Sequence, residues 1–239
     1  PYLAAGQYRS YKGNAGKSKV TIGRLKRNLG NKSHVGLIAT NRDYQVGGSG
    51  SVVEFDSLIN FMDDYILDLN YARSDTQEGN VNFIETDDTF AGRTYAMDGE
   101  SFSGIAKNFR LRWAVDKANA GIRYSDVSPT YRAHVGFVSR NDYKFRNYWY
   151  GRTYRSKGTI RQVNFRLNNR NRLNSKNEKT LEFYEFQIDL ETNFNFTGTI
   201  EWQHKPGEKF NGIQYGEQRD IEIRGQYHPS ESFFTSFEI

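Results

Sequence analysis

Apolar and polar residues alternate one by one along most of this chain. A period of two places successive side chains on opposite faces of an extended strand, so each such segment has one greasy side and one wet side. From 65 to 74, Tyr65, Leu67, Leu69 and Tyr71 share one face, and Asp68, Asn70, Ala72 and Ser74 share the other. From 108 to 116, Phe109, Leu111, Trp113 and Val115 oppose Asn108, Arg110, Arg112, Ala114 and Asp116. The scheme recurs with Val163, Phe165 and Leu167 against Gln162, Asn164 and Arg166. It recurs again with Phe194, Phe196, Ile200 and Trp202 against Asn195, Thr197, Thr199 and Glu201. Ile221, Ile223 and Tyr227 likewise oppose Asp220, Glu222, Arg224 and Gln226. Residues 19–28 are less regular, because Val20 and Ile22 share a face with Arg24 and Lys26.

No stretch keeps a 3.6-residue period for three turns, so the alternation predicts an all-β chain of about thirteen strands. The connections alternate too. Short ones at 28–32, 62–64, 116–118, 191–193 and 228–231 interleave with longer ones at 43–50, 75–98, 127–141, 168–179 and 205–218; the stretch 152–158 is intermediate and counts with the short turns. Consecutive antiparallel strands put alternate connections at opposite ends, so this rhythm predicts tight turns at one end and long loops at the other.

Composition narrows the classes. Of the 239 residues only 36 % are hydrophobic, yet 15 % are aromatic, too many for a disordered chain. There is no cysteine, which excludes disulfides and thiolate metal sites. No run of 18 apolar residues occurs, which excludes a helical membrane span but not a β-barrel. The net charge of +5 comes from Lys and Arg interleaved with carboxylates, a distribution that argues against a nucleic-acid surface. The chain opens at Pro1 with no leader-like segment, and it reads as a fragment of a longer protein.

Alternation alone leaves open whether the greasy face meets a protein core or lipid. Segments of nine to eleven residues match a tilted strand crossing hydrocarbon, whereas strands of soluble proteins run nearer five or six. Tyr65, Tyr71, Tyr124, Trp202 and Tyr227 stand toward strand ends, where a membrane interface would take the ring and leave the polar atom wet. The expected fold is therefore an antiparallel up-and-down transmembrane β-barrel. A count near thirteen predicts a partial barrel over residues 1–239, since single-chain bacterial barrels have even numbers of strands.

Particular segments carry a family resemblance. Arg24 to Gly30 (RLKRNLG) with Ser33 to Arg42 (SHVGLIATNR), Tyr65 to Ser74 (YILDLNYARS) and Tyr124 to Asn141 (YSDVSPTYRAHVGFVSRN) resemble stretches of a Bacteroidetes-type outer-membrane β-barrel family of unknown function. Tyr131 stands where that pattern has Phe. The resemblance covers about two thirds of the chain. It implies a bacterial outer-membrane location and a barrel that usually follows a module resembling family-9 carbohydrate-binding domains. It assigns no catalytic residues.

Candidate chemistry is of three kinds. Asp68, Arg110, Arg112, Asp116, Arg123, Arg166, Glu201, Glu222 and Arg224 fall on polar faces, and they would line a lumen either as a selectivity surface or, the favoured reading, as a structural charge ladder. His34, His134, His204 and His228 show no paired-ligand spacing, so no zinc site is expected. Glu85, Asp87 and Asp88 could offer oxygen ligands to calcium but lack a known loop spacing. Ser128, His134 and Asp142 are the nearest approach to a hydrolytic set, although Ser128 before Pro129 reads better as a loop cap.

The expectation is thus an outer-membrane barrel serving solute passage or anchoring an accessory module, more a non-enzyme than an enzyme. No cofactor is expected. Its partners would be outer-membrane lipid and proteins of the outer membrane or periplasm, without nucleic acid. The rival is a soluble secreted β-sandwich that binds glycans through Tyr148, Trp149 and Tyr150.

Overall fold

Runs of alternating residues with β-branched and aromatic side chains form strands, which run longer than expected, although Phe194, Asn195 and Asp116 at the ends of two such runs lie in turns. The computed structural model describes residues 17–45, 47–80, 89–94, 96, 98–136, 138, 140–210, 213–230 and 233–239. Its strands are β1 (Ser18–Leu29), β2 (Ser33–Tyr44), β3 (Ser49–Phe61), β4 (Tyr65–Gln77), β5 (Thr89–Phe90), β6 (Arg93–Thr94), β7 (Ser101–Val115), β8 (Ala118–Val127), β9 (Tyr143–Arg155), β10 (Ile160–Leu173), β11 (Lys179–Thr192), β12 (Phe196–Phe210), β13 (Ile213–Tyr215), β14 (Gln218–Ser230) and β15 (Phe233–Glu238). No helix occurs among the described residues.

The main sheet follows the order β1-β2-β3-β4-β7-β8-β9-β10-β11-β12-β14-β15, with β13 paired to β12, and β5-β6 form a separate hairpin. Successive strands of the path are neighbours, as in an up-and-down antiparallel sheet. The path itself holds twelve strands, so the parity argument for a partial barrel does not apply to it.

Contacts divide the chain into two units. The first takes the described residues within 1–61, 66–110 and 124–144. There Leu25, Leu37 and Phe55 form one row across β1, β2 and β3, while Lys26, Gly36 and Asp56 form the adjacent row on the opposite face. Arg24 reaches Asp56 at 3.3 Å over Gly36, where an added β-carbon would press on the carboxylate. Toward the loop end the apolar face turns polar, with Asn41 opposite Ser51 and Asp43 opposite Ser49. On β4 the same change follows Tyr71, after which Arg73, Asp75 and Gln77 are exposed. The greasy surface is therefore a band that ends before the strands do.

The second unit takes the described residues within 62–65, 111–123 and 145–239. Its registers line up whole rows. Leu167, Phe186, Trp202 and Ile221 are paired in succession, as are Phe165, Ile188, Ile200 and Ile223. On the other face run Arg166, Gln187, Glu201 and Glu222, and then Asn164, Asp189, Thr199 and Arg224.

Burial inverts the pattern of a globular core. Ile221 is 67 % exposed, Val53 50 % and Ile200 48 %, while among the described residues the side chain with no exposure at all is Ser74. The buried cluster of Val52, Ala72, Val127 and Tyr131 belongs to the first unit. Val52 and Ala72 stand on its polar faces, two residues from Glu54 and Asn70.

Three expected long connections are shorter than read. Residues 45–48 and 174–178 are tight links, and β12 continues to Phe210. The Asn-rich run at 168–177 stays in strand through Leu173 because its polar groups find partners: Arg172 reaches Glu208 at 3.4 Å and Asn169 donates to the Phe183 carbonyl at 3.2 Å. The connections at 78–100 and 128–142 are long, as read. Met62 and Asp63, with φ of 48° and 57°, make the tight turn before β4.

Candidate functional site

The described residues of 128–142, between β8 and β9, pack against the polar face of the first unit. Small residues at alternate positions clear the ground: Gly50 and Val52 on β3, Ala72, Ser74 and Thr76 on β4, Gly104 and Ala106 on β7. The Tyr131 backbone occupies the space where a side chain on Gly104 would begin, and the His134 ring does the same over Gly50. Glycine at these two sites is a matter of space rather than of backbone angle.

Hydrogen bonds then fix the segment. The Ser128 N–H donates to the Ile105 carbonyl at 2.9 Å, and the Ile105 N–H returns a bond to Ser128 Oγ at 2.9 Å. Ser128 is thus a cap, and its neighbour Thr130 donates to the Ser103 carbonyl at 2.6 Å. The Arg132 N–H donates to Ser74 Oγ at 3.1 Å. Its guanidinium curls back to the carbonyls of Pro129 (2.8 Å) and Tyr131 (3.0 Å) and lies 4.4 Å from the Phe90 ring centre. Asn141 Nδ2 donates to the Pro129 carbonyl at 2.9 Å.

His134 is the pivot. Its Nδ1 is bonded to the Tyr44 hydroxyl (3.3 Å) and its Nε2 to the Thr76 hydroxyl (3.1 Å), while Arg42 donates to its carbonyl at 3.1 Å. Burial, with Arg132 and Arg42 adding to it, pushes the imidazole down to about 4. The ring is neutral at pH 7 and uses both nitrogens structurally. Its ring nitrogens engage Tyr44 and Thr76, whereas Ser128 engages the Ile105 backbone.

A second group lies in the 78–100 connection. Carboxylate oxygens of Glu78, Asp98 and Glu100 lie within 4.8 Å of one another. Arg93 stands 3.8 Å from Glu100, and the Oε2 atoms of Glu78 and Glu100 are buried without a hydrogen bond. Burial first, then Asp98 and Glu100, raises the Glu78 carboxyl to about 7. Such a group can share a proton or take a hard cation. The calcium candidates read from sequence, Glu85, Asp87 and Asp88, lie outside the described residues.

The charged residues read from sequence, Asp116 apart, lie on polar faces, many in pairs. Asp68 accepts from Arg110 at 2.7 Å in the first unit. In the second, Arg166 reaches Asp189 at 2.9 Å, and Arg224 reaches Glu222 at 2.8 Å and Glu201 at 3.4 Å. Asp116 sits just past β7, in the turn, where Arg155 binds it at 3.1 Å. The Arg123 guanidinium is 6.0 Å from the Phe145 ring centre, and Arg112 is exposed. Sequence reading missed Arg170, which pairs with Glu185 at 2.9 Å and covers the buried Phe183 ring at 4.0 Å.

Tyr65, Tyr71, Trp202 and Tyr227 stand in the apolar rows. Tyr65 lies beside the turn at 62–64, and Tyr227 meets Phe194 edge-on at 6.3 Å beside the turn at 193–195. Trp202 lies farther along β12, 5.8 Å from His204, and the Tyr124 hydroxyl donates to Asp126 at 3.2 Å. His34, His204 and His228 have separate partners in Asp56, Glu217 and Phe234.

The signal that could have revealed the in-folded segment is the spacing of small residues on three strands, G-x-V, A-x-S-x-T and G-x-A. No family model, curated protein or solved structure matches the chain.

Proposed function

We propose that the chain is the wall of a bacterial outer-membrane β-barrel whose lumen is narrowed by residues 128–142, and that it serves either as a restricted conduit or as an anchor for an accessory module. The observation that carries this reading is the inverted burial: the aromatic and aliphatic rows are bare, while the polar face of the first unit is the one that receives a packed segment. Water leaves such rows uncovered only at high cost, and lipid covers them at none. In hydrocarbon the free edges of β1 and β15 must be paired, with each other or with further strands. The polar rows then face the lumen, where paired charges keep that side wet. The family resemblance of residues 24–42, 65–74 and 124–141 supports the same location.

The sandwich alternative requires the rings to pack between two stacked sheets, and rows as exposed as Val53, Ile200 and Ile221 weigh against it. Folding the protein into liposomes and recording single-channel currents tests the proposal. Insertion with small or gated currents supports a narrowed barrel. A monodisperse species in water without detergent overturns it.

A further inference from the structure

Most arginines of the second unit, among them Arg155, Arg166, Arg170 and Arg224, reach a carboxylate within 4 Å. Arg152 has aromatic neighbours instead. It is exposed between Tyr150 and Tyr154 on β9, and among the described residues its partners are those two rings: a hydrogen bond with Tyr150 and a stacking distance of 5.0 Å to the Tyr154 centre.

Its face is fixed by its neighbours. Thr153 donates to Asn164 and Arg155 binds Asp116 on the polar side, so Arg152, one residue from Thr153, points the other way. There Tyr150, Arg152, Tyr154, Val163 and Phe165 line a shallow groove of about 470 Å³, with Tyr154 edge-on to Phe165 at 5.7 Å. An uncompensated cation on an apolar face is costly at the middle of a bilayer and cheap near its edge, where lipid headgroups supply the counter-charge. Arg152 stands three residues, or roughly 10 Å of strand, from the end of β9 and the turn at 156–159. That depth suits the interface on the short-turn side.

We propose that Arg152 is the phosphate-binding residue of a phospholipid site, with Tyr150 and Tyr154 flanking the phosphodiester and an acyl chain lying along Val163 and Phe165. The inference rests on the barrel reading above and adds a specific lipid contact to it. The guanidinium fork matches phosphate geometry, and the two phenols offer further donors from either side. Aromatic rings on both flanks also restrict where the headgroup can sit.

The test uses the whole chain, folded in detergent and titrated with phosphatidylglycerol, and reads retained lipid by native mass spectrometry. The expected result is one lipid held about tenfold more tightly by the parent protein than by Arg152→Gln, with Arg152→Lys between them and Arg155→Gln, on the polar face, unchanged. Diacylglycerol of the same chain length, lacking phosphate, should bind the parent protein no better than it binds Arg152→Gln. Equal retention of phosphatidylglycerol by the parent protein and Arg152→Gln overturns the site, and so does equal binding of diacylglycerol and phosphatidylglycerol. Failure of the parent protein to insert into vesicles overturns the barrel instead, and this is read in a separate experiment on the same sample.

Discussion

The backbone N–H of Arg132 donates to the Ser74 hydroxyl over 3.1 Å, joining positions 58 apart in sequence at the side chain with no solvent exposure. A serine can be the most buried side chain because the segment above it supplies the donor its oxygen needs. The rest of the in-folded segment depends on the same match of small wall residues to a polar loop.

Gly104→Val should expel that segment. A β-carbon at 104 would meet the Tyr131 backbone, which cannot rotate away as a side chain can. Overpacking of this kind costs about 1–3 kcal/mol. Faster amide exchange across 128–142, larger single-channel current and unchanged strand content by circular dichroism are the expected outcome. Unchanged exchange would show that the segment is not held by that fit.

Acid should loosen the same segment. The folded His134 titrates at about 4 against an ordinary 6.5, so the unfolded chain binds a proton that the folded form refuses. Stability from this group is complete above pH 6.5, falls as pH drops toward 4 and levels off below. Protection of amides within 128–142, taken relative to their intrinsic base-catalysed exchange, at pH 7.5 and pH 5 checks the direction, and His134→Gln should flatten the difference.

Glu78 should act in the opposite sense. Its carboxyl titrates at about 7 when folded, above the ordinary 4.5, so the folded form binds the extra proton. Its contribution is complete below pH 4.5 and is lost as pH rises through 7. The protection of amides within 89–100, taken relative to their intrinsic base-catalysed exchange, should therefore fall between pH 6 and pH 8 in the parent protein and remain level in Glu78→Gln.

The two faces of β12 should answer differently to one charge. Ile200→Arg, in the middle of the exposed apolar row, should cost about 2–4 kcal/mol in a bilayer. Thr199→Arg places its guanidinium near Asp189, which already accepts from Thr199 at 3.0 Å, and should cost little. Folding titrations into liposomes compare the two. A reversed order would place the apolar row away from lipid.

The polar-row pairs should be weak one at a time. Arg166 and Asp189 are 2.9 Å apart with side chains 55 % and 25 % exposed, so a double-mutant cycle should give about 0.2–1 kcal/mol, falling with salt. The wall is held by backbone ladders, and the charges keep its polar side wet.

The strands, their order along the chain and the two-faced pattern of rows such as Phe165, Ile188, Ile200 and Ile223 were legible in the sequence. A period of two is a local property that each segment carries by itself. The strand limits were not legible at Leu173 and Phe210, because polar runs remain extended once both faces find partners. Nor was the in-folding of 128–142. His134 reads as incidental until Arg42, 92 residues away, and Thr76, 58 residues away, are brought to it. Arg152 reads as one basic residue among many until the groove it shares with Val163 and Phe165 shows its neighbours on the next strand to be apolar. Alternation fixes which side of a strand is greasy, but pairing across dozens of residues decides what meets each side, since a contact of that separation leaves no period in the sequence.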